Sequence, residues 1–289
     1  MMDPLNHLLR RCGTDMLQQT KDRYRWLLRS MKLALWTGLI TVLGSQTGFA
    51  DKALKLDYVG YYGGLEAVRV DVSITLAEGR YAVTSATRST GFLDYLSSFH
   101  SAVHGRGAWP LGSDQRFSLK SAYSGKQRRI ELQRLPQGNF EVAITPPIPA
   151  DERDPVPPSL QQDSRDPIAT FMQLAMQPTA TALCSGMMPI FNGKIRSDVQ
   201  FRHLGSEDLQ ASSYSRFQGR AEKCQMTYAV RAGGYKKSWF GKDQAAPVIE
   251  VWFARRDDLA MWLPVRVRTE TALATIFLHL TSPTFDAKS

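Results

Sequence analysis

Val68-Arg69-Val70-Asp71-Val72-Ser73-Ile74-Thr75-Leu76 decides the fold class. Apolar side chains stand at every second position and polar ones between them. Successive side chains of a strand point to opposite faces, so this stretch is a strand with one face in a core and one in water. The same alternation returns at Phe117, Leu119, Ser121 and Tyr123, at Phe140, Val142 and Ile144, at Ile195, Val199 and Phe201, at Met226, Tyr228 and Val230, and at Leu263, Val265 and Val267. Gly-bearing turns separate these runs: Glu78-Gly79, Ser124-Gly125, Gln137-Gly138 and Asn192-Gly193. The Asn-Gly pair predicts a two-residue hairpin, because both residues accept φ > 0. Such close spacing of strands and turns favours antiparallel neighbours over parallel strands with helices between. The expected fold is all-β: a strongly curved antiparallel sheet or open barrel.

One interruption stands out. Thr145 to Pro158 holds six prolines, so it is an extended connection that cannot join a central strand. After it come Ser164, Asp166 and Pro167, then Ile168, Phe171, Met172, Leu174, Ala175 and Met176. A capping Ser or Asp, a first-turn proline and apolar residues at helical spacing predict one short inserted helix near 166–177, packed across the sheet. Neither side of the proline stretch has a full set of elements of its own, so residues 51–289 read as a single barrel-like domain.

The first fifty residues read as processing. Lys32 is followed by the apolar stretch Leu33 to Gly44, then Ser45, Gln46 and Thr47, then Gly48, Phe49 and Ala50. A basic start, about a dozen apolar residues and small side chains before the cut form a secretory signal, with cleavage expected after Ala50. A membrane anchor would need about 20 apolar residues, and this segment turns polar too early. The basic residues Arg10, Arg11, Lys21, Arg23, Arg25 and Arg29 make a long basic region, which points to Met31 as the start. Without residues 1–50 the net charge falls from +9 to +5. No dense Lys/Arg run remains, so nucleic acid is not an expected partner, while the remaining positive charge is compatible with weak contact with an anionic membrane surface. Removing Cys12 leaves Cys184 and Cys224 as a pair which, in an oxidising compartment, is expected to form a disulfide.

Several stretches carry a resemblance: Tyr58–Val70 (YVGYYGGLEAVRV), Arg80–Leu96 (RYAVTSATRSTGFLDYL), Arg165–Ala175 (RDPIATFMQLA), Cys184–Asp198 (CSGMMPIFNGKIRSD) and Leu263–Thr269 (LPVRVRT). Their order resembles the domain of unknown function 3108 family (DUF3108), over nearly all of the chain beyond Ala50. The family pattern more often has Asp at the place of Asn192. The resemblance implies an exported envelope protein of Gram-negative type bacteria, with a cup-like β-barrel and no assigned activity. It supplies no catalytic residues.

The residues themselves point to no catalytic group, no metal and no cofactor. His100 and His104 are four apart, but in a strand that is about 13 Å, too far for one tetrahedral ion. Ser185 lacks the glycine two residues before it that a nucleophile elbow needs. Gly233-Gly234-Tyr235-Lys236-Lys237-Ser238 has the wrong spacing for a phosphate loop. Two segments suggest binding. Phe92, Leu93, Tyr95, Leu96 and Phe99 lie between strands and read either as a plug of the barrel or as the lid of an apolar cavity. Lys236, Lys237 and Lys242 bracket Trp239 and Phe240 in a loop, either a membrane-surface contact or a solvated hairpin tip. The sequence therefore suggests a non-enzymatic periplasmic protein whose concave sheet holds a lipid, an acyl chain or a segment of an envelope protein, and which supports envelope integrity. A scaffold with a filled core that binds peptidoglycan or a protein is the rival, and an envelope hydrolase is the third reading. The sequence does not fix the oligomeric state.

Overall fold

The computed structural model describes residues 52–236, 248–271 and 273–282. The expected leader before Asp51, and Lys237, Trp239, Phe240 and Lys242, lie outside the described residues.

Thirteen antiparallel strands form one sheet: β1 (Lys52–Tyr62), β2 (Leu65–Ala77), β3 (Arg80–Ser89), β4 (Phe99–Ala108), β5 (Arg116–Tyr123), β6 (Lys126–Arg134), β7 (Phe140–Thr145), β8 (Met187–Phe191), β9 (Arg196–Leu209), β10 (Gly219–Ala232), β11 (Ile249–Arg256), β12 (Met261–Glu270) and β13 (Thr275–Leu280). Their order is β7-β6-β5-β4-β3-β2-β1-β13-β12-β11-β10-β9-β8. Two meanders, one from each half of the chain, are thus joined through β1 and β13, with Tyr58 opposite Leu280 and Tyr62 opposite Ile276. The deciding stretch lies in β2, where Val70, Val72 and Ile74 are buried. At Glu78-Gly79 and Ser124-Gly125 both turn residues take positive φ, as two-residue hairpins between twisted strands require.

Asn192-Gly193 departs from that pattern. Phe191 pairs with Arg196, so the connection has four residues, and of its first two only Gly193 is left-handed, at φ 87°. Asn192 instead uses its side chain: Oδ1 accepts from the backbone N–H of Lys194 at 3.0 Å and of Ile195 at 2.9 Å. An Asx turn has replaced the two-residue hairpin. Packing against β6 also demands Gly193, since a Cβ there would stand 2.6 Å from Ile130 Cγ2.

Among the described residues, three short α-helices occur where the sequence suggested one: α1 (Gly91–Leu96), α2 (Pro167–Ala175) and α3 (Ala180–Leu183). The predicted helix is α2, capped by Asp166, whose Oδ1 accepts from Ile168 N at 2.8 Å and Ala169 N at 2.9 Å. It packs on β4 of one meander and on β8 and β12 of the other, and so fills the hollow between the walls. Gly105 of β4 makes room for it, because a Cβ there would lie 2.7 Å from Ile168 Cγ1. Ile168, Met172 and Ala175 join the main core with Leu56, Val70, Val83, Ile130, Leu263 and Leu280. A second cluster gathers Leu174, Leu183, Phe201, Val251 and Phe253 around the sulfurs of Cys184 and Cys224.

The sheet does not close by strand pairing, but its ends meet. The rings of Phe140 and Phe191 are 5.6 Å apart. Residues 161–165 line the seam. Arg165 N donates to Pro189 O at 3.0 Å, Phe191 N donates to Arg165 O at 2.9 Å, and Phe140 N donates to Gln161 Oε1 at 3.3 Å. Arg134 of β6 donates to the carbonyls of Ser164 and Gln162. The edge groups of β8 therefore find partners in a strap of ordinary chain.

Candidate functional site

The interior comes first, since a cup holding a ligand would need space there. Aromatic and aliphatic side chains from both walls and from α2 occupy it. A cavity of about 40 Å³ lies elsewhere, lined by Ile190, Ile195, Val199, Met226, Tyr228 and Ile249 among others. Ligand pockets run to roughly 300–1,000 Å³. That cavity suits water rather than an acyl chain.

The segment read as plug or lid is α1 with its flanks. Only Leu93 turns inward, at 8% exposure, while Phe92 is 46%, Leu96 56% and Tyr95 92% exposed. Phe99 is half-buried at the start of β4. The segment therefore does not plug the barrel. It is a rigid protrusion: Thr90 N donates to Ala67 O and Ser97 N to Leu93 O, both at 2.9 Å. Ser89 Oγ donates to Asp94 Oδ1 at 2.5 Å, and the Ser97 and Ser124 hydroxyls are 3.0 Å apart. These bonds tie α1 to β2, β3 and the β5–β6 turn.

Two neighbouring turns also expose apolar side chains. Leu65 opens β2 beside α1 and is 59% exposed. Gly63 N donates to Thr275 O at 3.1 Å, and a Cβ on Gly63 would lie 3.5 Å from Ala274 Cβ. That contact brings Leu273, 50% exposed in the β12–β13 turn, alongside. Lys126 is exposed on the β5–β6 turn and has no ion-pair partner among the described residues. Of the loop read as either a membrane-surface contact or a solvated hairpin tip, Lys236 is described, and its Nζ pairs with Asp154 at 2.8 Å.

His100 and His104 are exposed on β4, and burial together with Lys120 lowers the His104 pKa. Among the described residues no three His, Cys, Asp or Glu side chains are grouped to hold a metal. Ser185 Oγ donates to Ala182 O at 3.1 Å. A trio the sequence hid does assemble on β9 and β10: His203 Nε2 lies 2.8 Å from Glu222 Oε2, and Ser206 Oγ donates to Glu222 at 2.8 Å. An irregularity that leaves Leu204 out of register brings them together. The carboxylate stands between hydroxyl and imidazole, so the base does not touch the nucleophile and the order needed for acyl transfer is absent. His279, in an aromatic nest with Tyr61, Tyr214 and Phe277, has its pKa pushed down to about 4 by burial and by Arg266, and is a neutral packing residue. Cys184 and Cys224 form the expected disulfide, with Cα atoms 5.4 Å apart. It ties the end of α3 to β10, and both cysteines are buried.

Fold and surface together define a barrel-like β-protein with a filled interior and, among the described residues, no assembled catalytic centre. Residues 57–281 match the family described as protein of unknown function DUF3108, and the chain belongs to that family. No curated protein matches it. Among solved structures it is similar to a beta-barrel-like protein of domain of unknown function DUF1849 from Brucella abortus, with TM-score 0.50 and 11% identity over 80% of this chain and 96% of that one. That likeness concerns the fold. No helix among the described residues is long and apolar enough to cross a membrane.

Proposed function

We propose that this is a non-enzymatic protein of the cell envelope that acts by docking a partner on its outer surface, its interior being structural. The observation that carries this reading is α2, which touches both walls and occupies the volume that a lipid or acyl chain in the concave face would need. Its Ile168 sits in a slot that only a glycine at 105 leaves open. The exported location rests on the sequence of the first fifty residues and on a disulfide that oxidising compartments sustain. Support of envelope integrity then comes from contact between the barrel's exterior and a neighbouring envelope component.

Two measurements test it. Native mass spectrometry of protein isolated from the periplasm should give the mass of the bare polypeptide beginning at Asp51. A stoichiometric lipid adduct would restore the ligand-holding cup and sink the surface reading. Recovery of the protein from the cytosol with both cysteines reduced would sink the location.

A further inference from the structure

The seam between the two ends of the sheet is bridged where β7 begins, at the bond from Phe140 N to Gln161 Oε1. Successive residues of an antiparallel strand turn their backbone groups to alternate sides. The N–H of Phe140 faces away from β6, so those of Val142 and Ile144 do too, and the ladder to β6 is made by Glu141, Ala143 and Thr145. Arg134, opposite Phe140, agrees with this: its own N–H goes to Gln115 O, on the side away from β7. Among the described residues no group bonds to the outward N–H or C=O of Val142 or Ile144. The devices that usually guard an edge are missing as well, since β7 reads Phe-Glu-Val-Ala-Ile-Thr, without Lys or Pro, and its register with β6 is unbroken from Phe140 to Thr145. We propose that β7 is a docking edge for an extended peptide segment of a partner protein, which joins the sheet as an antiparallel strand. This deepens the reading of a partner docked on the barrel's exterior and rests on it.

Three observations define the chemistry of that segment. Donors and acceptors repeating along a strand are complemented in register by another extended backbone. The seam already takes such a segment on its other side, where Arg165 of the strap forms a parallel bridge with Ile190 of β8. Side chains set the pattern. Val142 and Ile144 share a face with the buried Phe140 and pair with the buried Leu132 and Ile130, yet Val142 is 37% exposed and Ile144 half-buried. Apolar residues opposite these two would cover them, while the other face, where Ala143 and Thr145 are exposed, takes polar ones. Charge sets the end. Glu141 is exposed, lies opposite Gln133 and has no ion-pair partner among the described residues, so it calls for a Lys or Arg across from it. A second copy of β7 does not supply one. Every antiparallel register that matches the outward groups of Val142 and Ile144 with those of a copy leaves Glu141 facing Ala143, Thr145 or Pro147.

The probe is a fluorescein-labelled peptide, Gly-Thr-Ile-Thr-Val-Lys-Gly, which in antiparallel pairing sets its Lys opposite Glu141, its Val opposite Val142 and its Ile opposite Ile144. Methylating the backbone nitrogens of that Val and Ile removes the two donors that face β7 and keeps every side chain. Binding to the full chain, followed by fluorescence anisotropy, should weaken about tenfold on this methylation. Hydrogen exchange at the Val142 and Ile144 amides should slow when the unmethylated peptide is added. Val142→Pro deletes an outward donor without touching the β6 ladder, so it should keep the melting temperature within a few degrees and weaken binding several-fold. Glu141→Lys should bind this peptide less well than the parent does and prefer the version with Glu in place of Lys. Equal binding of the methylated peptide, unchanged exchange at Val142 and Ile144, or an unaltered preference in Glu141→Lys each overturn the edge as the docking site. Slowed exchange at those amides that grows with protein concentration in the absence of peptide makes a second copy the occupant and overturns the proposal as well. With a bare native mass, these failures leave the outward-docking reading standing. A lipid adduct by mass with peptide binding intact removes that reading and not the edge.

Discussion

Asp166 holds the start of α2 and is buried at 1% exposure, so two demands meet in one carboxyl. Its Oδ1 accepts two backbone N–H groups, which favours the ionised form, but burial dominates and lifts its pKa to about 6, with Arg134 pulling the other way. An unfolded aspartate releases its proton near pH 4. Between those values the folded chain holds the extra proton, so this group adds stability as pH falls through about 6 and withdraws it as pH rises, on the order of 3 kcal/mol across the window. Asp166→Asn keeps an acceptor for the cap and removes the charge. It should be at least as stable as the parent at pH 7, and the gap should narrow as pH drops from 6.5 to 4.5 in denaturant titrations. Asp166→Ala loses the cap and should cost about 1–2 kcal/mol relative to Asn at every pH. A parent-minus-Asn difference that stays flat with pH would mean that burial does not govern this carboxyl.

Among the elements, α2 converts an open sheet into a packed one, and its fit depends on Gly105. Gly105→Ala drives a methyl into Ile168 and should destabilise by about 1–3 kcal/mol. Ile168→Ala alone should cost about 2–5 kcal/mol. Because the two changes share one contact, the double variant should cost clearly less than the two costs added together, and strict additivity in a double-mutant cycle would place the helix elsewhere. The disulfide belongs to this scale too. Its sequence separation of 40 corresponds to about 4 kcal/mol in the chain-entropy account. Reduction should therefore lower the melting temperature by on the order of 10 °C, and Cys184→Ala should melt with the reduced protein. Full reaction of the untreated protein with a thiol probe in denaturant would show that no such bond exists. These elements also mark how far the sequence could be read. Alternation at Val68–Leu76 and the Asp166-Pro167 opening are local signals, and both led to the right element. Gly105 carries no local signal of its role, since its function as a slot for Ile168 depends on chain 63 residues away. The outward turn of Tyr95 was hidden for the same reason. Six residues are too few to show a helical face, and GFLDYL is equally apolar whether it enters the core or leaves it.

At the scale of the whole molecule, the chain order of the strands predicts the order of folding. Within each meander, neighbours are close in sequence, and β2–β3 and β5–β6 need only two-residue turns. The junction of the meanders is different: Thr281 Oγ1 donates to Asp57 O across 224 residues. Each doubling of a loop adds about 0.6 kcal/mol of closure entropy, and roughly seven doublings separate a two-residue turn from this junction, about 4 kcal/mol in all. The hairpins can meet that cost only after they have buried part of their faces, so the β1–β13 seam should form last. Pulsed hydrogen exchange during refolding with the disulfide intact checks this. Amides bonded between β2 and β3 should gain protection in an early phase, and those bonded between β1 and β13 in the slowest one. If the seam amides are protected together with the hairpins or before them, the junction is the nucleus rather than the closing step, and the two halves do not fold as separate meanders.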